Sequence, residues 1–168
     1  QESAALAGGV EMMSRVPMLS DQAAIFMDPD VATAARILLM GSGADLIASL
    51  YGLSREAVDG VALLSQQRAA KAREKGYFSS IIPVDNPIKE RRVMHDECIR
   101  PQTTMASLAK MPPSFAAIGE AGADAVQLNG YPSLKAISHV HTAGNSPAMA
   151  DAAALVMIGN EALEGNLD

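Results

Sequence analysis

The sequence predicts an α/β protein, and three segments carry this prediction. Two short apolar runs, residues 3–10 and residues 152–158, have the length and composition of strands. Between them, residues 55–75 show the apolar spacing of a helix. The chain has 168 residues, of which 49% are hydrophobic and 19% are charged. It therefore holds enough apolar material for a core and has too few charges for a disordered chain.

The composition also excludes several classes of function. The net charge of −6 disfavours a nucleic-acid-binding protein, which needs basic residues to neutralise phosphates. A single cysteine, Cys98, excludes an intrachain disulfide and a cysteine-based zinc cluster. No apolar run approaches the roughly 20 residues that span a bilayer. We therefore expect no nucleic-acid or membrane partner, and a reducing, cytoplasmic compartment.

The first third of the chain predicts a strand, a loop and a helix. The strand at residues 3–10 enters a turn at Gly8-Gly9. Residues 15–36 mix apolar side chains with Asp and Pro, which is typical of an irregular loop. Over residues 32–50 the pattern becomes helical, with Gly52 as the expected C-cap. The apolar side chains expected to share one face of this helix are Ala44, Ile47 and Ala48.

The clearest element is the helix over residues 55–75. Ser54 is a good N-cap, acidic residues follow it, basic residues occupy the last turns, and Gly76 ends the helix. Its small apolar stripe consists of Val58, Ala62, Ser65, Ala69 and Ala72.

The rest of the chain is more broken. Residues 81–84 predict a short extended segment, and residues 85–102 are polar with a charge run. Residues 103–110 predict one or two helical turns that end before a pair of prolines. Residues 137–141 alternate apolar and polar side chains, which predicts a strand.

The two ends resemble elements that have been cut. The final apolar run, residues 152–158, predicts a buried strand, and a helix barely begins over residues 159–163. The chain is therefore expected to be an internal fragment of a longer protein.

Three side chains have the chemistry of possible ligands or nucleophiles: His139, His141 and Cys98. His139 and His141 are two residues apart on the predicted strand, so both would point to one face. Such a pair could ligate a metal with a third ligand, but a packed or hydrogen-bonded pair is favoured because no third ligand is near in sequence. Cys98 is not expected to be a nucleophile, because Asp96 and Glu97 disfavour the thiolate.

Two segments of small residues are compatible with ligand binding. Gly41-Ser42-Gly43 resembles part of a dinucleotide-binding loop, but it lacks the third glycine and a preceding strand. The run of small residues from Thr142 to Asp151 would let a backbone approach either a ligand or a neighbouring helix. The residues alone leave those two alternatives open.

Taken together, four blocks of sequence resemble the motifs of the thiolase family. In order along the chain they are Ala7–Ser14 (family pattern AGGxExMS), Met40-Gly41 with Tyr51–Glu56 (MG…AE…YGISRE), Asp96–Phe115 (DExIRP…LAKLKPxF) and Thr142–Ala153 (TAGNxSxxxDGAA). The resemblance covers nearly the whole chain and is thinnest at 17–36 and 116–140.

The resemblance implies a layered αβαβα fold, of which this chain is one part. Residues 1–15 would end the N-terminal core, residues 16–138 would form a loop domain over the active site, and residues 139–168 would return to the core. It also implies an acyl-CoA acyltransferase that makes or cleaves 3-ketoacyl-CoA through a cysteine acyl-enzyme. The catalytic cysteine would precede residue 1, and the catalytic histidine and second cysteine would follow residue 168, so no catalytic residue is expected within the chain.

The resemblance also implies that residues of this chain bind coenzyme A (CoA). Arg100 would face the phosphates, Ser107 the adenosine, and small residues the pantetheine arm. The complete set of expected CoA-binding residues is Met40, Arg100, Ser107, Ala143, Ser146 and Met149. The departures from the family pattern are Leu39, Ala152 and Pro147, the last of which replaces a serine that would contact pantetheine. The stretch 116–140 is longer than in the common biosynthetic enzymes and leaves the length of the acyl substrate open.

Acyl-CoA and CoA are thus the expected substrates, with no permanently bound cofactor and no metal. A homodimer or homotetramer is the expected assembly. An alternative is a non-catalytic thiolase-like carrier of CoA or lipid, which would share every motif of this chain and lack only the upstream cysteine. An unrelated interaction module is disfavoured by the ordered match of four blocks.

Overall fold

A computed structural model describes residues 4–35 and 37–160. Its helices and strands confirm the α/β class. In chain order they are β1 (Ala4–Glu11), α1 (Ala24–Met27), α2 (Pro29–Ala35), α3 (Met40–Tyr51), α4 (Arg55–Glu74), β2 (Val84–Asn86), β3 (Arg91–Val93), α5 (Met105–Ala109), α6 (Ala116–Ile118), a wide helical turn (Gly119–Ala123), α7 (Asp124–Gly130) and β4 (Ala152–Gly159). No single helix among them is both long and apolar enough to cross a bilayer.

The described residues form two compact units. One unit comprises residues 4–35 and 149–160, and the other comprises residues 37–148. The first unit is built around a ribbon in which β1 and β4 pair antiparallel, from Ala4 opposite Gly159 to Glu11 opposite Ala152.

The ribbon confirms both predicted strands but corrects two details. Gly8 and Gly9 lie inside β1, paired with Leu155 and Ala154, so they do not turn the chain. Every residue of β1 and β4 is exposed, so the expected burial of residues 152–158 is wrong. A two-stranded ribbon leaves both its faces open to solvent.

The same unit contains structure where a loop was expected. Residues 15–36 include the short helices α1 and α2. Asp28 caps the start of α2, because its Oδ1 accepts hydrogen bonds from the backbone N–H groups of Asp30 and Val31. Pro29 then begins the helix at a position where a missing N–H costs nothing. The predicted helix start at residues 159–163 falls mostly on residues outside the described part.

In the second unit, α3 and α4 confirm their predicted caps. Gly52 ends α3 in the left-handed conformation, with φ of 63°. The Ser54 hydroxyl begins α4 by accepting from the Ala57 N–H at 3.1 Å. The face that α3 buries differs from the predicted apolar face, because Ile47 is 54% exposed. The buried residues of α3 are Ser42, Asp45, Leu46 and Ala48.

Between α4 and the last turn, shorter elements follow. β2 and β3 form a hairpin within the predicted polar segment. α5 confirms the predicted helical turns, and α7 occupies a stretch in which no helix was predicted. The apolar core of the unit is small and is made of Leu46, Ala48, Ala70, Leu108, Ile137 and Val140.

The predicted strand at residues 137–141 is wrong. The segment is extended but pairs with no strand among the described residues. Its N–H groups donate instead to side chains of α3: Ser138 to the Ser49 hydroxyl, and Val140 and His141 to Asp45. Side-chain acceptors on a helix therefore replace the strand partner that the alternating pattern suggests.

Candidate functional site

The second unit contains a groove of about 1100 Å³. One wall is α4, a second is the segment from Asp96 to Met111, and a third is the turn that follows His141. The predicted apolar stripe of α4 faces this groove, because Val58, Ala62, Ser65 and Ala69 line it. Small side chains on α4 therefore leave open volume in the groove.

Gln66 ties the α4 wall to the segment that carries Arg100. Its Oε1 accepts a hydrogen bond from the Arg100 backbone N–H at 2.7 Å. The Arg100 guanidinium Nη1 donates to the Cys98 carbonyl at 2.8 Å. Within residues 4–35 and 37–160, the Arg100 side chain makes no other hydrogen bond and takes part in no ion pair. The remaining N–H groups of this exposed cation can therefore bind an anionic ligand.

Ser107 lies on the same side of the groove, at the start of α5. Thr104 and Ser107 form a reciprocal capping box, in which each side chain accepts from the other residue's backbone N–H. The Ser107 hydroxyl also donates its proton to the Thr104 carbonyl at 2.8 Å. In this arrangement Ser107 can still accept a hydrogen bond from a ligand, but it has no proton left to donate.

The third wall is the small-residue turn, which Asn145 holds in shape. Its Oδ1 accepts from the Thr142 N–H at 2.8 Å, and its Nδ2 donates to the Val140 carbonyl at 3.0 Å. The same Nδ2 donates to Asp59 Oδ1 on α4 at 2.8 Å. Asn145 thus closes the turn on itself and fastens it to α4.

Gly144 lets this turn approach α5 closely. A Cβ at this position would lie 2.5 Å from Met111 Sδ and 2.7 Å from Leu108 Cδ2. The glycine therefore serves backbone packing, while its neighbours Ala143 and Ser146 line the groove. Of the two alternatives that the sequence left open, close approach to a neighbouring helix is confirmed at Gly144, and approach to a ligand stays a prediction.

Asp59 is a buried carboxylate with a permanent cation. It is 1% exposed, and its Oδ2 accepts from Arg55 Nε at 2.8 Å one helical turn away. Arg55 also donates to the carbonyls of Leu108 and Met111 at the end of α5. The pair therefore joins α4, α5 and the Asn145 turn.

Asp45 is a second buried carboxylate, on α3, and is 0% exposed. Its Oδ1 accepts from the N–H groups of Val140 and His141, both at 3.1 Å, and lies 2.7 Å from His141 Nδ1. Its Oδ2 lies 2.9 Å from His139 Nδ1. The hydrogen-bonded histidine pair favoured by the sequence is thus confirmed, although a carboxylate from α3 brings the two rings together.

His139 bridges two carboxylates. Its Nε2 lies 3.0 Å from Asp124 Oδ2 on α7. Burial by itself lowers the pKa of His139, but the hydrogen bonds to Asp45 and Asp124 and the charges of both carboxylates outweigh burial. The net result is a pKa above the ordinary 6.5. The folded state therefore favours the protonated ring.

The structure supports neither metal binding by His139 and His141 nor nucleotide binding by Gly41-Ser42-Gly43. Among the described residues, no group of three or more His, Cys, Asp and Glu side chains is arranged to hold a metal ion. Gly41, Ser42 and Gly43 lie within the first turn of α3, where the Phe115 ring packs against Gly41. Cys98 is exposed and lines the groove, and its backbone N–H donates to Asp96 Oδ1.

Comparison with known proteins identifies the family. The family model described as the N-terminal domain of thiolases matches residues 1–130. The chain belongs to the thiolase family. A 3-ketoacyl-CoA thiolase of Bacillus subtilis is 34% identical over 170 residues, covering 92% of this chain and 37% of that protein. The human peroxisomal 3-ketoacyl-CoA thiolase is 35% identical over 130 residues, covering 73% of this chain and 26% of the relative.

Solved thiolase structures confirm the predicted thiolase-like fold. Human mitochondrial 3-ketoacyl-CoA thiolase, solved in complex with CoA, matches with a TM-score of 0.64 and 29% identity over 98% of this chain. The dimeric peroxisomal thiolase of Saccharomyces cerevisiae matches with a TM-score of 0.67 and 25% identity, also over 98%. This thiolase chain spans 40% and 38% of those two chains.

The structure brings together four of the six residues expected to bind CoA. Arg100, Ser107, Ala143 and Ser146 line the one groove, although more than forty sequence positions separate the first from the last. Met40 is 86% exposed at the start of α3 and is not among the residues that line the groove. Met149 is 77% exposed and belongs to the other compact unit.

Sequence reasoning missed the residues that shape the groove. These residues are Asp45, Asp59 and Asn145. The predictions for α3 and α4 rested on their apolar side chains, and those for the turn rested on its small residues, so these three polar residues were not predicted to shape the groove. Asp59 had one available signal, since Arg55 precedes it by four residues on a helix, the spacing of an ion pair. Asp45 had none, because its partners lie more than ninety positions away.

Proposed function

We propose that the whole protein to which this chain belongs is an acyltransferase that makes or cleaves 3-ketoacyl-CoA, and that the groove binds its CoA substrate. The convergence of Arg100, Ser107, Ala143 and Ser146 on one groove supports this proposal most directly. A CoA complex is among the solved relatives, and the two curated relatives described above are named 3-ketoacyl-CoA thiolases.

The chemistry of the three walls suits the parts of CoA. Arg100 offers guanidinium N–H groups to phosphate oxygens, and a fork of donors suits that geometry. Ala143 and Ser146 provide a wall without bulky side chains, and the small residues of α4 face it across the groove. A slim amide arm fits between such walls.

We propose that residues 16–138 form the domain that covers the active site, and that the residues of the acyl-enzyme reaction lie outside this chain. Cys98 takes no part in that chemistry in this proposal. The comparisons give no support to the alternative of a non-catalytic carrier, because the matched relatives carry thiolase names. We further propose a cytoplasmic homodimer or homotetramer; a dimeric yeast relative supports self-association.

Kinetics of the whole protein test the proposed CoA site. Arg100→Ala should raise the KM for CoA in thiolysis of acetoacetyl-CoA by about 5- to 150-fold, the equivalent of about 1–3 kcal/mol for a charge-assisted contact. The kcat should change little, because a phosphate remote from the reacting carbon is bound about equally in the ground and transition states.

Arg68→Ala is the matched control, since Arg68 is an exposed arginine on α4 that does not line the groove. Its KM should equal that of the wild type. Ala143→Leu should impair CoA binding more than Arg100→Ala, because the added side chain occupies the groove itself. Equal KM values for Arg100→Ala and Arg68→Ala would contradict the proposed site.

A further inference from the structure

His141 differs from the other residues that line the groove because a buried carboxylate holds its ring. The ring is 17% exposed, and its Nδ1 lies 2.7 Å from Asp45 Oδ1. Its Nε2 has no hydrogen-bond partner among the described residues. One ring nitrogen is therefore fixed from behind, while the other is available to a ligand in the groove.

The contact with Asp45 decides which nitrogen of the neutral ring carries the proton. An ionised carboxylate can only accept hydrogen bonds, and Oδ1 already accepts from the N–H groups of Val140 and His141. The ring nitrogen that faces it must therefore be the N–H donor, which is Nδ1. Nε2 is then an acceptor.

We infer that His141 is a ligand-contacting residue of the groove, whose Nε2 accepts a hydrogen bond from an amide N–H of the pantetheine arm, and that Asp45 is the residue that positions it. This inference rests on the proposed function, because it assigns a further contact within the proposed CoA site.

The position of His141 in the turn favours the arm over the nucleotide. His141 comes two residues before Ala143, on the wall formed by small side chains, whereas Arg100 and Ser107 belong to a different wall. An acceptor needs a donor, and the amide groups of pantetheine carry N–H donors while phosphates at neutral pH carry only acceptors. The donors of the nucleotide, the adenine amino group and the ribose hydroxyl, belong to the part of CoA that we place at the wall of Arg100 and Ser107. His141 therefore complements the chemistry of Arg100 and does not duplicate it.

Asp45 is suited to the positioning role because it fixes both the backbone and the ring of His141. Its Oδ1 binds the His141 N–H at 3.1 Å and the His141 Nδ1 at 2.7 Å. Since Asp45 is fully buried, it cannot itself reach a ligand. Any influence of Asp45 on ligand binding would act through the histidine.

Two substitutions separate the two nitrogens of the ring. In His141→Asn the side-chain Nδ2 takes the place of Nδ1, so the donor to Asp45 is kept and the acceptor toward the groove is lost. In His141→Gln the longer amide reaches the place of Nε2, so an acceptor toward the groove is kept and the donor to Asp45 is lost. His95→Asn is the matched control, since His95 is exposed and does not line the groove.

The experiment measures, for the whole protein, the dissociation constant by calorimetry and the melting temperature of each variant. His141→Asn should weaken CoA binding roughly two- to tenfold, the loss of one neutral hydrogen bond, with a melting temperature near that of the wild type. His141→Gln should melt at a lower temperature yet bind CoA more tightly than His141→Asn. Binding of adenosine 3′,5′-diphosphate, which lacks the arm, should be the same in His141→Asn and wild type.

Several results would overturn the inference and one would also overturn the proposed function. If CoA affinity follows melting temperature across the two variants, His141 has a structural role only. If His141→Asn weakens adenosine 3′,5′-diphosphate and CoA equally, the contact is not with the arm. If the variants bind as the wild type does while Arg100→Ala is impaired, only the His141 contact is wrong. If the wild type binds no CoA, both proposals fail.

Discussion

Two buried aspartates hold the same turn by different means. Asp45 on α3 fastens the beginning of the segment through His139 and His141, and Asp59 on α4 fastens its end through Asn145. The cation beside Asp59 is an arginine, which is charged at every physiological pH. The cation beside Asp45 is a histidine, which is charged only below its pKa. The cation that contacts Asp59 therefore stays charged over this pH range, whereas the cation that contacts Asp45 loses its charge as the pH rises.

The comparison shows how a small apolar core can support a defined groove. Only six apolar side chains of the described residues are buried. The two carboxylates add hydrogen-bonded links between α3, α4, α5 and the turn, and each oxygen has a partner. Buried carboxylates are tolerated where such partners are complete, but their removal is costly.

The largest effect is expected for Asp59→Ala. The change leaves Arg55 without its carboxylate and Asn145 without an acceptor, so the free energy of unfolding should fall by about 3 kcal/mol, the lower end for a broken buried pair because Arg55 is partly exposed. Urea unfolding of the whole protein measures this. Asp85→Ala is the control, since that aspartate is 82% exposed and lies 3.7 Å from Arg92; it should cost at most about 1 kcal/mol. Equal losses would contradict the role of Asp59.

Asp45→Asn should produce a smaller loss that depends on pH. The amide oxygen can still accept from Val140 and His141, but the charge beside His139 is gone, so the expected loss is about 1–3 kcal/mol. The loss should be largest below pH 6.5, where His139 is protonated in the folded state, and should shrink as the pH rises. The loss for Asp59→Ala should stay constant over the same pH range. A constant loss for Asp45→Asn would contradict the comparison.

His139→Gln tests the histidine side of the same pair. Because folding raises the pKa of His139 above 6.5, its stabilisation is fully present below the unfolded pKa and is lost as the pH rises through the folded pKa. The wild type should therefore lose stability over that window, and the variant should lose less. Melting temperatures across neutral pH measure the slope. His95→Gln should keep the wild-type slope, and a variant slope equal to that of the wild type would exclude His139 as the source.

The smallest effect is expected at an exposed aspartate of the ribbon unit. The Ser14 hydroxyl and N–H donate to Asp151 at 2.5 and 2.9 Å and lower the pKa of its carboxyl below 3.8. Its stabilisation is present above that value and is lost as the pH falls through the lowered pKa. An NMR titration of Ser14→Ala should show the Asp151 pKa returning toward 3.8, whereas Ser20→Ala should leave it unchanged. An unchanged pKa in Ser14→Ala would contradict this contact.

Local signals in the sequence predicted α4 and the end of α3. Ser54, Gly52 and Gly76 act on groups within one helical turn, so these boundaries could be found from neighbouring residues. The helix predicted over residues 32–50 begins as α3 only at Met40, where no side chain caps it, and α1, α2 and α7 were not predicted. The capped turns of α5 were found for the same reason. The motifs also located Arg100, Ser107, Ala143 and Ser146, which proved to line a single groove.

The contacts between distant residues could not be predicted in this way. Residues 137–141 alternate as a strand does, yet their N–H groups bond to side chains some ninety positions earlier. The hydrophobic pattern of α3 placed Ile47 inside and gave no reason to bury Asp45. A buried carboxylate is stable only with its partners, and the sequence does not show which distant groups those partners are.

A crystal structure of the whole protein with bound CoA would test the central claim most directly. The account predicts that the phosphates lie within hydrogen-bond distance of the Arg100 guanidinium and that the pantetheine arm runs along Ala143 and Ser146. It also predicts an arm N–H within about 3.2 Å of His141 Nε2. CoA bound away from the groove, or in the groove with its phosphates remote from Arg100, would contradict the account.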